Sequence, residues 1–187
     1  MAKYHGRGRQ SIRLPGYDYA QPGAYFITVC TYHRIHLFGE IANDIVRLSE
    51  FGHLVQAVWD DLPNHYAHVV TDAFVIMPNH IHGIIVLDPP IGAGLKPAPT
   101  KGNHGLTEIV RGLKTFSARH INKRRNTTGT HIWQRGYHEH IIRNDGSIDR
   151  IREYIVNNPM KWGIDRENPD QTPTPSSVRE EPTPWEI

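Results

Sequence analysis

Short apolar runs and helical hydrophobic spacing alternate along the 187-residue chain. Residues 24–31, "AYFITVCT", are rich in β-branched and aromatic residues and follow the turn signal Pro22-Gly23, which predicts a strand. Leu48, Phe51, Leu54, Val55, Val58, Trp59 and Leu62 recur at helical spacing over residues 47–62. Residues 67–76 and 79–88 predict two strands separated by Met77-Pro78, since a proline cannot donate to a ladder. Residues 106–122 form a second amphipathic pattern, with Arg111, Lys114 and Arg119 outside its apolar positions. A strand broken by Gly136 follows in residues 131–143, then a helix over 147–158, with Ser147 as N-cap and Pro159 disfavouring continuation. The order β-α-β-β-α-β plus a helix predicts an α+β fold. It is the ferredoxin-like split βαβ arrangement, an antiparallel sheet with helices on one face. One domain is expected over residues 1–165. The aperiodic Pro/Gly-rich stretch 88–105 is read as a loop insertion, and the acidic, Pro-rich 166–187 as a disordered tail.

Composition narrows the class. Hydrophobic residues make up 38%, enough for a core but lean, in keeping with a segment that does not pack. No apolar run approaches the ~20 residues that span a bilayer, and the basic N-terminus has no apolar segment behind it. The single cysteine, Cys30, allows no intramolecular disulfide and reads as a small buried hydrophobe. These features predict a cytoplasmic protein. The net charge of +2 conceals blocks: +4 over residues 1–34, −5 over 35–100, +7 over 101–166 and −4 over 167–187. Two basic blocks meeting in space would make a patch for a polyanion.

The chemistry-bearing stretch is "VIMPNHIHGIIVL", residues 75–87. Strand side chains alternate, so His80 and His82 share one face and Ile81 takes the other. From the residues alone three readings stand: buried imidazoles satisfied by hydrogen bonds, two ligands of a metal, or general acid–base groups. Two imidazoles do not complete a metal site. The last helix, "REYIVNNP", offers Tyr154 and Asn158 at i and i+4, one turn apart on one face.

"MPNHIHGIIVL" resembles the HUH motif of single-tyrosine transposases, and "REYIVNNPMKW" resembles their catalytic-tyrosine helix. With "RQSIRLPGYDYAQPGAYFITVCTYHR", "GLKTFSARHIN" and "WQRGYHEHIIRNDGSIDRIREYIVNNPMKW", the chain is similar to the REP-associated tyrosine transposases over roughly residues 10–163. The resemblance implies a divalent ion, Mg²⁺ or Mn²⁺, held by His80, His82 and Asn158. Zinc is the alternative that two imidazoles favour. It implies attack by Tyr154 on a scissile phosphate, a 5′-phosphotyrosine link and a free 3′-OH. A phenol with pKa near 10 is only ~0.1% ionised at neutral pH, so activation must come from metal, cations or a base. Lys161 and His140, with His138 behind it, are candidates for that supporting role.

The implied partner is DNA, in short palindromes that fold into hairpins with a single-stranded tag, bound by a monomer or homodimer. Arg13, Arg111, Lys114 and Arg119, with Arg7 and Arg9, are the candidate phosphate contacts. Tyr17 and Tyr19 are candidates for base stacking or for packing. Three rivals remain: a hairpin-binding protein that no longer cuts, a rolling-circle-type HUH nickase, and a metal hydrolase without a covalent step. Nickases of that type often carry a second tyrosine four residues on. Asn158 occupies that position here.

Overall fold

The computed structural model describes residue 14 and residues 16–89 and 104–170. Arg7, Arg9 and Arg13, most of the 88–105 insertion and the tail beyond residue 170 lie outside them. Six strands form two sheets. The main sheet holds β1 (Gly23–Cys30), β4 (Val69–Ile76), β5 (His80–Leu87) and β6 (His138–Ile142), and β2 (Gly39–Ala42) pairs with β3 (Ile45–Leu48) in a hairpin. The helices are α1 (Glu50–Asp60), α2 (Leu62–His65), α3 (Leu106–Arg124) and α4 (Asp145–Asn157), with 3₁₀ turns at Tyr32–Arg34 and Asn158–Ile164. The main sheet is antiparallel in the order β4-β5-β1-β6. That is the ferredoxin-like order, and it puts β5 and its histidines in the interior of the sheet. Among the described residues no helix is long and apolar enough to cross a membrane.

The two faces of the sheet differ. On one, Tyr25, Ile27 and Val29 of β1 and Ile81, Ile85 and Leu87 of β5 meet Val55 and Trp59 of α1 and Ile109, Val110, Leu113 and Ile121 of α3. Gly83 sits on this face because the Trp59 indole lies against it, stacked on Phe74 at 4.1 Å; a Cβ there would fall 2.4 Å from the Trp59 ring. On the other face a smaller cluster joins Phe26 and Ile84 to Ile142, Ile151 and Ile155, so α4 covers this side. A bulge in β4 between Thr71 and Phe74 lies beside Asp72, which is hydrogen-bonded to Arg152 of α4 at 2.6 Å and holds the helix to the sheet. Thus α1 and α3 share one face, and the tyrosine helix lies on the other with the 3₁₀ turn that follows it.

Several expected boundaries move. The helix expected from residue 47 starts at Glu50, because Ser49 caps it by accepting from the Gly52 N–H. Leu48 instead ends the β2–β3 hairpin, which turns through Asn43 and Asp44 at positive φ, the conformation of a two-residue type I′ loop. The last helix is capped by Asn144, whose Oδ1 accepts from the Ser147 N–H at 2.9 Å; Ser147 lies inside the first turn. The expected tail boundary at Arg166 is too early. Asn168 is buried, and Glu167 bonds to the N-terminal end of β5, so the packed chain runs at least that far.

Candidate active site

The face under α4 carries the histidine pair. Register alone assembles the row: His82 pairs with Thr28 of β1, and Thr28 pairs with His138 of β6, so all three side chains point toward α4. One step along, Phe26 pairs with His140. From α4, Tyr154 reaches down onto this row, its ring 5.3 Å from His82 and 6.1 Å from Phe26. Asn158 follows one turn later. It keeps helical dihedrals although it precedes Pro159, because the chain passes there into the 3₁₀ turn.

His80 is fully buried and His82 nearly so, and their Nε2 atoms lie 3.0 Å apart. Hydrogen bonding fixes one tautomer. The Asn79 amide nitrogen donates to the carbonyls of Arg34 at 3.2 Å and Glu167 at 2.6 Å, which turns its Oδ1 toward His80. That oxygen only accepts, so His80 Nδ1 carries the proton, 2.8 Å away, and the neutral ring presents a lone pair at Nε2. His82 Nδ1 faces Thr28 Oγ1 at 2.8 Å. A hydroxyl both donates and accepts, so Thr28 can satisfy either tautomer of His82. When Thr28 accepts, both Nε2 lone pairs face the same point.

Asp165 closes the group. It follows the 3₁₀ turn, is buried, and with His80 and His82 offers ligand atoms all within 4.8 Å of one another. Its Oδ1 accepts from the Glu167 N–H at 2.7 Å. Its Oδ2 lies 3.7 Å from His80 Nε2 and has no hydrogen-bond partner, and neither has the buried Oδ1 of Asn158. Electrostatics follow from burial. Desolvation lowers His80 to about 3 and pushes His82 well down. It raises Asp165 and pushes the Tyr154 phenol up to about 12; Asp165 raises that phenol further, while the Asn158 amide and Arg166 act against the shift.

Comparisons with known proteins point to one class of protein. Residues 98–158 match the family model described as "Transposase IS200 like", a span that includes α3, β6, Tyr154 and Asn158. An uncharacterised protein of Haemophilus influenzae is 39% identical over 167 residues, covering 84% of this chain and 92% of the other. A second protein of that organism, described as a REP-associated tyrosine transposase, is 28% identical over 147 residues, covering 78% of this chain and 75% of its own. The solved structure of a REP-associated tyrosine transposase bound to a REP hairpin shares the fold, with a TM-score of 0.57 at 20% identity, covering 81% of this chain and 74% of that one. Residues 98–158 thus resemble the IS200-like transposases, and the fold is that of the REP-associated tyrosine transposase structure.

The remaining sequence candidates are dispersed by the fold. His138 and His140 are half-buried on the site's face, both lowered by burial; Arg166 depresses His138 further, while His138 and then Arg143 do so for His140. Lys161 is exposed on the 3₁₀ turn after Asn158. Lys114 does not fit the role of a phosphate contact. Its ammonium donates to the carbonyls of Gln134, Arg135 and Gly136 at 2.7, 3.0 and 3.2 Å, which uses all three of its N–H groups on the loop before β6. Arg111 is exposed and bonded to Glu108 at 2.8 Å, and Arg119 is exposed. Both lie on α3, across the sheet from Tyr154. Tyr17 and Tyr19 pack edge-on at 4.9 Å, beside Tyr25, against the larger core, and Tyr137 packs there too. Cys30 donates to Glu167 at 3.3 Å, and burial pushes its thiol up, so it is inert.

Four residues beside the site escaped sequence reasoning: Thr28, Asn79, Asp165 and Arg166. Asn79 sits inside the "MPNHIH" motif, and its position before the first histidine was the available signal. Thr28 becomes visible only with the β1–β5 register. Asp165 and Arg166 were hidden at the edge of a tail read as unpacked.

Proposed function

We propose that this protein is a transposase, a metal-dependent single-stranded DNA endonuclease and strand transferase. In this reading it acts on palindromic hairpin elements through a 5′-phosphotyrosine at Tyr154. The observation that carries the reading is the convergence of Tyr154 and the His80–His82 pair on one sheet face beneath α4.

The residues fit a divalent ion. The Nε2 atoms of His80 and His82, 3.0 Å apart, are close enough to be shared by one ion. Two buried oxygens without partners, on Asn158 and Asp165, stand in the same neighbourhood, which is what a cation would satisfy. His80, His82 and Asn158 would hold Mg²⁺ or Mn²⁺. When bound there, the ion polarises the scissile phosphate and offsets charge growing on its oxygens.

The chain's own groups do the rest. Phe26 and His82 orient the Tyr154 ring, and α4, pinned by Arg152 to Asp72, fixes its height over the sheet. The phenol loses its proton and its oxygen bonds to phosphorus. The P–O3′ bond breaks, and the departing 3′-oxygen takes up a proton. The Asn158 amide and Arg166 both favour the phenolate, against burial. His140 and Lys161 support the site from its edges. Arg166 and Arg143 are the nearest exposed cations for the substrate phosphates, while Arg111 and Arg119 on α3 engage the stem at a distance from the chemistry.

The test uses a hairpin carrying a label 3′ of the cut, because the covalent end is the 5′-phosphate of that fragment. The wild-type protein with Mn²⁺ yields a denaturation-resistant adduct, and Tyr154→Phe binds the hairpin but yields none. Phenylalanine keeps the ring's packing, so a cavity does not account for the loss. Hairpin binding by the wild type with no adduct under any divalent ion would leave a non-cutting binder. An adduct retained by Tyr154→Phe would move the nucleophile elsewhere.

A further inference from the structure

We propose that Asp165 is an anionic ligand of the same ion site, adding a carboxylate to the two imidazoles and the Asn158 amide; this rests on the metal-dependent reading above. Three observations support it. Its side chain is 4% exposed, and its free Oδ2 faces the His80–His82 pair, 3.7 Å from His80 Nε2. An oxygen so placed is costly unless a cation or a donor meets it. No proton is available from His80, because Asn79 holds the proton of that ring on the far nitrogen.

The second observation is that Asp165 is held rather than merely adjacent. The Glu167 N–H binds its Oδ1, the Asn168 N–H binds its backbone carbonyl at 2.9 Å, and the Asn158 side chain reaches its carboxyl. Glu167 in turn accepts from Asn79 and pairs with Arg34 at 2.9 Å. The same Asn79 therefore orients His80 and anchors the segment that delivers the carboxylate. A preorganised ligand of this kind costs little to order when an ion arrives.

The third observation is chemical. Two imidazoles and a neutral amide favour zinc or softer ions, whereas a carboxylate oxygen shifts the set toward Mn²⁺ and Mg²⁺. It also lowers the net charge of the loaded site to +1.

Mn²⁺ binding to the full-length protein without DNA, followed by the electron paramagnetic resonance of free Mn²⁺, tests this independently of activity. The wild type binds one Mn²⁺, and His80→Ala/His82→Ala binds none. Asp165→Asn, which keeps the acceptor for Glu167, loses at least ~10-fold in Mn²⁺ affinity and gains relative preference for Zn²⁺. Asp165→Ala, which removes both oxygens, shows the same loss. Circular dichroism in EDTA checks that both variants are folded. Wild-type binding with unchanged affinity in folded Asp165→Asn and Asp165→Ala overturns the assignment and leaves the histidine site standing. A wild type that binds no Mn²⁺ overturns the metal reading itself.

Discussion

Lowering the pH of the metal-free protein from 7.5 to 5.5 should unload stability through the histidine pair. Both rings are buried and neutral in the fold, with pKa values below the ordinary ~6.5 of the unfolded chain, about 3 for His80 and well below 6.5 for His82. The unfolded chain therefore binds more protons below pH 6.5. Stability from these groups is complete above that value and is lost as pH falls through it toward the folded values. Each histidine that stays neutral in the fold costs about 1.4 kcal/mol across this window, so the pair costs about 3 kcal/mol. Against a domain stability of about 5–15 kcal/mol, that is a readable fraction. The assay is urea unfolding in EDTA at both pH values, followed by the fluorescence of the four tryptophans. His138 and His140 shift in the same direction but are only half-buried, so the decisive quantity is a difference. His80→Gln and His82→Gln should each reduce the loss across the window by about 1.4 kcal/mol, whatever they cost at pH 7.5. If both variants lose as much as the wild type, the pair is not neutral in the fold and the tautomer argument fails.

Other perturbations separate structure from chemistry. His80→Ala and His82→Ala should each abolish cleavage while hairpin affinity in EDTA stays within a few-fold, as read by gel shift, because binding is dominated by phosphate contacts elsewhere. Lys114→Met should destabilise the fold by about 1.5–3 kcal/mol in urea, with the log–log salt slope of hairpin binding unchanged, since it removes a cation bonded to three carbonyls. Arg111→Gln with Arg119→Gln should flatten that slope by roughly 0.7 to 0.9 per lost contact and leave the rate of adduct formation at saturating hairpin intact. Gly83→Ala should cost about 1–3 kcal/mol, measured by thermal unfolding, because Trp59 must leave its stack on Phe74.

What was legible in the sequence divides along the reach of each interaction. Strands β1, β4 and β5 show as short apolar runs and helices α1, α3 and α4 as 3.6-residue periodicities because each packs into a continuous core. The β2–β3 hairpin does not. Its strands are four residues long and its apolar positions, such as Ile45, are partly exposed, so only Asn43-Asp44 announced it. Within the site, His80 with His82 and Tyr154 with Asn158 are local spacings, i to i+2 and i to i+4, and can be read without a fold. Thr28, Asn79 and Asp165 act on those histidines across 54, 1 and 85 positions, and only Asn79 was close enough in sequence to be noticed. Lys114 misled for a different reason: a cation outside an apolar stripe looks solvated, yet a four-carbon stem can lay it along the surface onto a neighbouring loop.

Why the sheet tolerates polar groups at its centre follows from how its two faces are used. The face toward α1 and α3 holds the larger cluster, with Tyr25, Trp59, Ile81 and Leu113 among its members, and so carries most of the hydrophobic stabilisation. The face toward α4 is left with Phe26, Ile84, Ile142, Ile151 and Ile155, enough to dock one helix. Beside that patch the fold can bury His80, His82, Thr28, Asn158 and Asp165 without emptying the main core. Each pays for burial with a named bond except two oxygens, and those two, on Asn158 and Asp165, lie together at the histidine pair. A sheet stabilised from one side thus leaves the other free to hold a buried polar site.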